Sequence, residues 1–137
     1  MIESGFNLCI SLRIVTDEEL ELVSRILNTE PTDTAKKGER KFKTSPVTKS
    51  NIWMYAKKYE RCKEIGDRII DFVKSIPEFH EKMETLKEIG NISFGISVVS
   101  VFGQIGFSLS EKDIEVLNLL KIPFDISIFS WGQCVDE

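Results

Sequence analysis

The chain has 137 residues, 42% hydrophobic and 29% charged, with a formal net charge of −4. That length suits one domain around one core, and the composition excludes disordered, collagen-like and disulfide-stapled classes. No apolar run reaches the roughly 18 residues a bilayer crossing needs, so no membrane role is expected.

The N-terminal stretch MIESGFNLCISLRIV lacks the basic region and cleavage site of a signal peptide. It alternates instead, with Phe6, Leu8, Ile10, Leu12 and Ile14 on one face and Asn7, Cys9, Ser11 and Arg13 on the other. This period of two predicts a half-buried strand in a cytoplasmic protein, residues 1–137 forming a single domain. TDEELELVSRILN follows, where Thr16 and Glu19 have the spacing of a capping box and Leu20, Val23, Ile26 and Leu27 form an apolar stripe. A helix is predicted there.

Residues 29–50 hold two prolines, a glycine and little apolar content, and read as a long basic loop. NIWMYAKKY restores alternation, with Ile52, Met54 and Ala56 opposite Trp53 and Tyr55, and predicts a second strand. From Lys63 the period becomes helical, placing Ile65, Ile69, Phe72, Val73 and Ile76 on one face. Pro77 then starts a further helix that carries Phe79, Met83 and Leu86 and ends near Gly90. NISFGISVVSVF is a third strand, 111–121 a helix, and PFDISIFSW a fourth strand with Phe124, Ile126 and Ile128 aligned.

The predicted fold class is therefore α+β, in the order β-α-β-α-α-β-α-β. It implies a four-stranded, mainly antiparallel, ferredoxin-like sheet with a βαβ-αα-βαβ arrangement and the first and third strands at its centre. The open face should carry Arg13, Trp53, Tyr55, Asp125, Phe129 and Trp131 beside Asn7, Ser11, Ser93 and Ser97. The central helix pair or a second subunit would cover it, the latter making a homodimer.

Gly103 and Gly106 do not form a phosphate-binding signature, and no lysine-serine ending follows them. They serve to turn the chain out of the third strand, and Ser110 with Asp113 caps the next helix. His80 is the sole histidine, on a charged helix, and Cys9, Cys62 and Cys134 include no CxxC pair. These residues assemble no nucleophile–base pair, metal site or cofactor site, so the protein is expected to be non-enzymatic and cofactor-free. An enzyme would instead need a deep pocket near Lys37, Trp53 and Asp125.

Charge is unevenly spread. Between Thr34 and Lys63 lie ten Lys and Arg against two Glu, a local +8, while the rest of the chain carries −12. Such asymmetry favours a charged partner. A protein fits better than nucleic acid, because phosphate binding rests on Lys and Arg and the chain as a whole is acidic. Aromatics on an open sheet are the device of single-strand RNA readers, but the third strand carries serines where their stacking aromatics belong. Lys36, Lys37, Arg40, Trp53 and Trp131 are the candidate partner contacts.

Several stretches together resemble a bacterial family known as domain of unknown function 4279. They are the first strand and helix, LNTEPTDTAKKGER with Pro31, Thr32, Lys37 and Gly38, the Trp53 strand, and GQIGFSLSEKDIEVLNLLKIPFDISIF with Gly103, Gln104, Gly106, Phe107, Ser108 and Ser110. The likeness runs from about Leu8 to Trp131, and Ala35 and Lys36 stand where the family has an aromatic. The resemblance implies no catalytic residues. It does imply an uncharacterised protein, and similar small acidic domains are often suggested to be immunity proteins that neutralise a protein toxin. The alternative is a small-molecule-binding or regulatory module that uses the open sheet face or loop 29–50.

Overall fold

The computed structural model describes residues 5–40, 43–44, 46–62, 64–102 and 109–133, with the backbone alone described at 101–102 and 130–133. The elements are β1 (Phe6–Thr16), α1 (Leu20–Leu27), β2 (Asp33–Ala35), β3 (Asn51–Cys62), α2 (Gly66–Lys74), α3 (Phe79–Lys87), β4 (Gly90–Phe102), α4 (Glu111–Leu120) and β5 (Phe124–Gln133). The class is α+β, as expected. The sheet, however, has five strands in the order β2-β3-β1-β4-β5, and it is mixed. β1 lies antiparallel between β3 and β4, whereas β4 and β5 are parallel.

This corrects the ferredoxin-like expectation at one point that sets the topology. The first and third of the predicted strands, β1 and β4, are indeed central, but the outer two are exchanged. The cause is β2, three residues that pair with Met54, Trp53 and Ile52. β1 and β2 are the parallel members of a split unit with β3 inserted between them, so the Trp53 strand returns antiparallel beside β1. Residues 29–50 are consequently not one structureless loop. Thr32 lengthens β2, its backbone N–H donating to the Met54 carbonyl and its hydroxyl accepting from the Ala56 N–H.

All four helices share one hydrophobic cluster with one face of the sheet. Leu8, Ile10, Leu12 and Ile14 of β1 meet Ile92, Phe94, Ile96 and Val98 of β4 beneath Val23, Leu27, Ile69, Phe72, Met83, Leu86, Leu117 and Leu120. The helix pair α2–α3 therefore lies on the same side as α1 and α4, and the other sheet face is left without the helical cover expected for it. Lys82 of α3 donates to the Leu27 carbonyl at the end of α1. A cation among the unpaired carbonyls of a helix C-terminus is favourable there.

The helix ends show which local signals acted. Ser110 and Asp113 form the expected capping box: the Asp113 N–H donates to Ser110 Oγ at 3.2 Å, and the Ser110 N–H donates to Asp113 Oδ2 at 2.9 Å. The matching box at Thr16 and Glu19 does not form. Glu19 is itself the N-cap, without a side-chain cap bond. Thr16, buried at the end of β1, accepts from the Glu18 N–H and donates to the Ile89 carbonyl at 2.6 Å, tying β1 to the α3–β4 turn. After Pro77, α3 begins at Phe79 and stops at Lys87, and Gly90 opens β4 instead of closing the helix. The turn at Gly103 and Gly106 lies outside the described residues.

Candidate functional site

Trp53 is the clearest correction to the expected contact surface. Register pairs it with Ile14, which puts it on the helix side of the sheet, and it is 0% exposed. Its indole N–H donates to Ser24 Oγ on α1 at 3.0 Å, and its ring lies 6.5 Å from that of Tyr55. Burial of the aromatic body with one satisfied polar tip is how tryptophan serves a core. Tyr55 shares this side, its ring against Phe72. The alternation read from the sequence is right and its facing is reversed: Ile52, Met54 and Ala56 lie opposite Val15, Arg13 and Ser11 on the open face. Asp125 and Phe129 pair with Gly95 and Val99 and join Arg13, Ser11, Ser93 and Ser97 on that face.

Lys36, Lys37 and Arg40 are exposed just past β2, together with Lys43 and Lys49 further along the same connection. Its base is ordered. The Lys37 N–H donates to Asn51 Oδ1 at 2.8 Å, while Asn51 Nδ2 donates to the Glu18 carbonyl at 2.8 Å. Gly38 turns the chain with φ 88°, a left-handed value that glycine adopts freely, and bonds across to Thr48. The Thr48 N–H in turn donates to the Glu39 carbonyl. Asn51, which no sequence signal singled out, is thus the buckle between the basic connection and the start of α1. Beside it Glu19, Leu20, Glu21, Lys36 and Asn51 line a groove of ≈ 360 Å³.

Among the described residues, Lys57, Lys58 and Arg61 of the +8 segment lie along β3 and do not join this cluster. Lys57 sits farther along β3 and pairs with Asp71 of α2 at 3.3 Å. Tyr59 donates to the same carboxylate at 2.7 Å, and the guanidinium of Arg68 lies 5.5 Å from the Tyr59 ring. Burial, then the bond to Asp71, hold the Tyr59 phenol well above its ordinary value. The Tyr59 hydroxyl, followed by Lys57, holds the Asp71 carboxyl below the usual carboxylate range. This cluster fastens β3 to α2. At the start of α2, Asp67 pushes the Glu64 carboxyl up.

Trp131 lies in β5, the strand at the opposite edge of the sheet from β2, and its side chain is outside the described residues. The five expected contacts therefore do not form one surface: three cations share one edge, Trp53 is in the core, and Trp131 belongs to the other edge. Lys37, Trp53 and Asp125 likewise do not converge on a pocket. His80 is exposed on α3. Of the cysteines, Cys62 is buried and Cys9 half-buried, both as free thiols, while Cys134 is outside the described residues. Among the described residues no group of three His, Cys, Asp or Glu could hold a metal ion, and no helix is long and apolar enough to cross a membrane.

No curated protein and no solved structure matches the chain. A family model does, over residues 6–131, nearly the whole of the described fold from β1 into β5. The chain belongs to the family described as Domain of unknown function (DUF4279).

Proposed function

We propose that this chain is a non-enzymatic protein-binding module that presents its basic connection to an acidic partner and acts by covering it. The observation that carries this reading is the pinned base of that connection. Lys36, Lys37, Arg40, Lys43 and Lys49 are exposed around a turn held by Asn51 and by the Gly38–Thr48 bonds. Charge displayed on an ordered support costs less conformational entropy on binding, and complementary charge raises the encounter rate. A toxin neutralised by occlusion is a partner of this kind, which makes the chain a candidate immunity protein in a cytoplasmic setting.

Capture from the cell that makes the protein tests the reading. The tagged chain should retain a stoichiometric acidic protein at low salt and lose it at high salt. The K36E/K37E/R40E variant should retain none while keeping its stability. A capture that is empty, or that ignores both salt and the three reversals, overturns the proposal. The groove of ≈ 360 Å³ beside Lys36 favours a second reading, a small-molecule-binding module. That reading predicts a rise in melting temperature with a metabolite, since a ligand of the folded state stabilises it by mass action.

A further inference from the structure

The two edges of the sheet are finished in opposite ways. β2 is three residues long, polar at Asp33 and Thr34, and runs directly into Lys36 and Lys37. Short edge strands with flanking lysines are how proteins prevent unwanted pairing. β5 is free of these devices from Phe124 to Phe129, since Lys121 and Pro123 precede that stretch and the register shift against β4 lies beyond Ser130. It is ten residues long, FDISIFSWGQ, with no lysine, arginine or proline and a single charge at Asp125. It is hydrogen-bonded to β4 on one side, leaving its outer row of backbone groups without a strand among the described residues.

Its side chains are as unusual as its backbone. Phe124, Ile126 and Ile128 pair with Phe94, Ile96 and Val98, so they face the helix side, where their β4 neighbours are buried. Yet they are 41%, 37% and 55% exposed, and Phe129 on the other face is 56% exposed. None of the four belongs to the core cluster.

We propose that β5 pairs antiparallel with β5 of a second copy, joining two five-stranded sheets into one. The sequence fits itself in this arrangement. A two-fold axis at Ile126 sets Phe124 against the second copy's Ile128 and Ile126 against its own counterpart. Asp125 then meets Ser127, so no like charges oppose each other, which would be destabilising in cross-strand pairs. Antiparallel pairing about a two-fold axis is also the closed, isologous kind that stops at a dimer. Four half-exposed Phe and Ile side chains leave on the order of 100 Å² each in water. With the bare backbone edge this approaches the roughly 500 Å² per partner at which specific interfaces begin. The pairing uses the edge opposite the basic connection, so it stands or falls independently of the protein-binding reading above.

Sedimentation of the untagged full chain from about 1 to 500 μM, a range suited to an interface near the lower size limit, is the first test. A monomer–dimer equilibrium is expected, and Ile126→Lys should weaken it at least tenfold while matching the melting temperature of the wild-type monomer at the dilute end of the range. Amide hydrogen exchange of the wild-type chain is the second test and needs no variant. The amides of alternate residues within 124–129 should slow as dimer forms. A monomer at every concentration overturns the proposal. So does a dimer that persists in Ile126→Lys, or one whose β5 amides exchange no more slowly than the monomer's.

Discussion

Replacing Gly66 with alanine would set a methyl carbon inside van der Waals contact with Oδ1 and Cγ of Asp113. Gly66 opens α2 and Asp113 belongs to the capping box of α4, so a single methyl group strikes the joint between two helices. To make room the carboxylate must swing away, and the bond from the Ser110 N–H at 2.9 Å is lost. Losing a cap costs about 1 kcal/mol, and a largely buried polar group left unpaired costs about 1–3 kcal/mol more. Gly66→Ala should therefore destabilise the chain by about 2 kcal/mol. In a background carrying Asp113→Ala the three atoms nearest the methyl group are gone, and Gly→Ala at a backbone conformation open to alanine then stabilises by about 0.4–1 kcal/mol. The same substitution thus changes sign, with a coupling of about 2–3 kcal/mol between neighbours. Urea unfolding of the four proteins measures it, with m unchanged and the midpoint moving. Equal effects of Gly66→Ala in both backgrounds would refute the reasoning.

Trp53→Ala should remove about 3–5 kcal/mol, the range for deleting a buried aromatic, whereas the K36E/K37E/R40E variant should stay within about 0.5 kcal/mol of wild type. Urea midpoints separate a core tryptophan from surface cations, and a near-neutral Trp53→Ala would contradict its placement under α1. Tyr59→Phe tests the β3–α2 cluster by pH. With the phenol raised above its unfolded value near 10, its stabilisation is present below about pH 10 and is lost as the pH climbs through the folded value. Asp71 has the opposite sign: its carboxyl is lowered, so its contribution is present above about pH 4 and is lost on further acidification. Tyr59→Phe should flatten the alkaline loss and move the Asp71 carboxyl resonance to a higher titration midpoint. An unmoved Asp71 midpoint would argue against the hydrogen bond.

Much of this architecture was legible because its signals are periodic. The four long strands and four helices follow from runs such as Leu8–Ile14 and Ile65–Ile76, where side-chain spacing decides the element. β2 was not legible. Three residues in a polar stretch carry no period, and their pairing is fixed by contacts with Ile52, Trp53 and Met54 about twenty residues away. Its absence from the reading exchanged the outer strands. The facing of β3 failed for a different reason. Both of its faces hold apolar residues, so alternation fixes the period but not the phase, and the larger tryptophan took the core. Ser110 and Thr16 show the same split at the helix starts. Both had the capping spacing, but Thr16 was claimed by the Ile89 carbonyl across the fold. Of the candidate contacts, exposure at Lys36, Lys37 and Arg40 was readable from local composition. Their separation from Trp53 and Trp131 was not, because that depends on strand order.

The central position of β1 also governs how the molecule comes into being. This strand leaves the ribosome before both of the strands that flank it, and Asn7 waits for Val99 and Phe6 for Cys62 before its edges are filled. Pairings between such distant segments make folding slow and leave unpaired strands exposed to aggregation meanwhile. A nascent chain halted before β4 emerges would hold an apolar strand with one side vacant, so the sheet cannot close until β4 has been made.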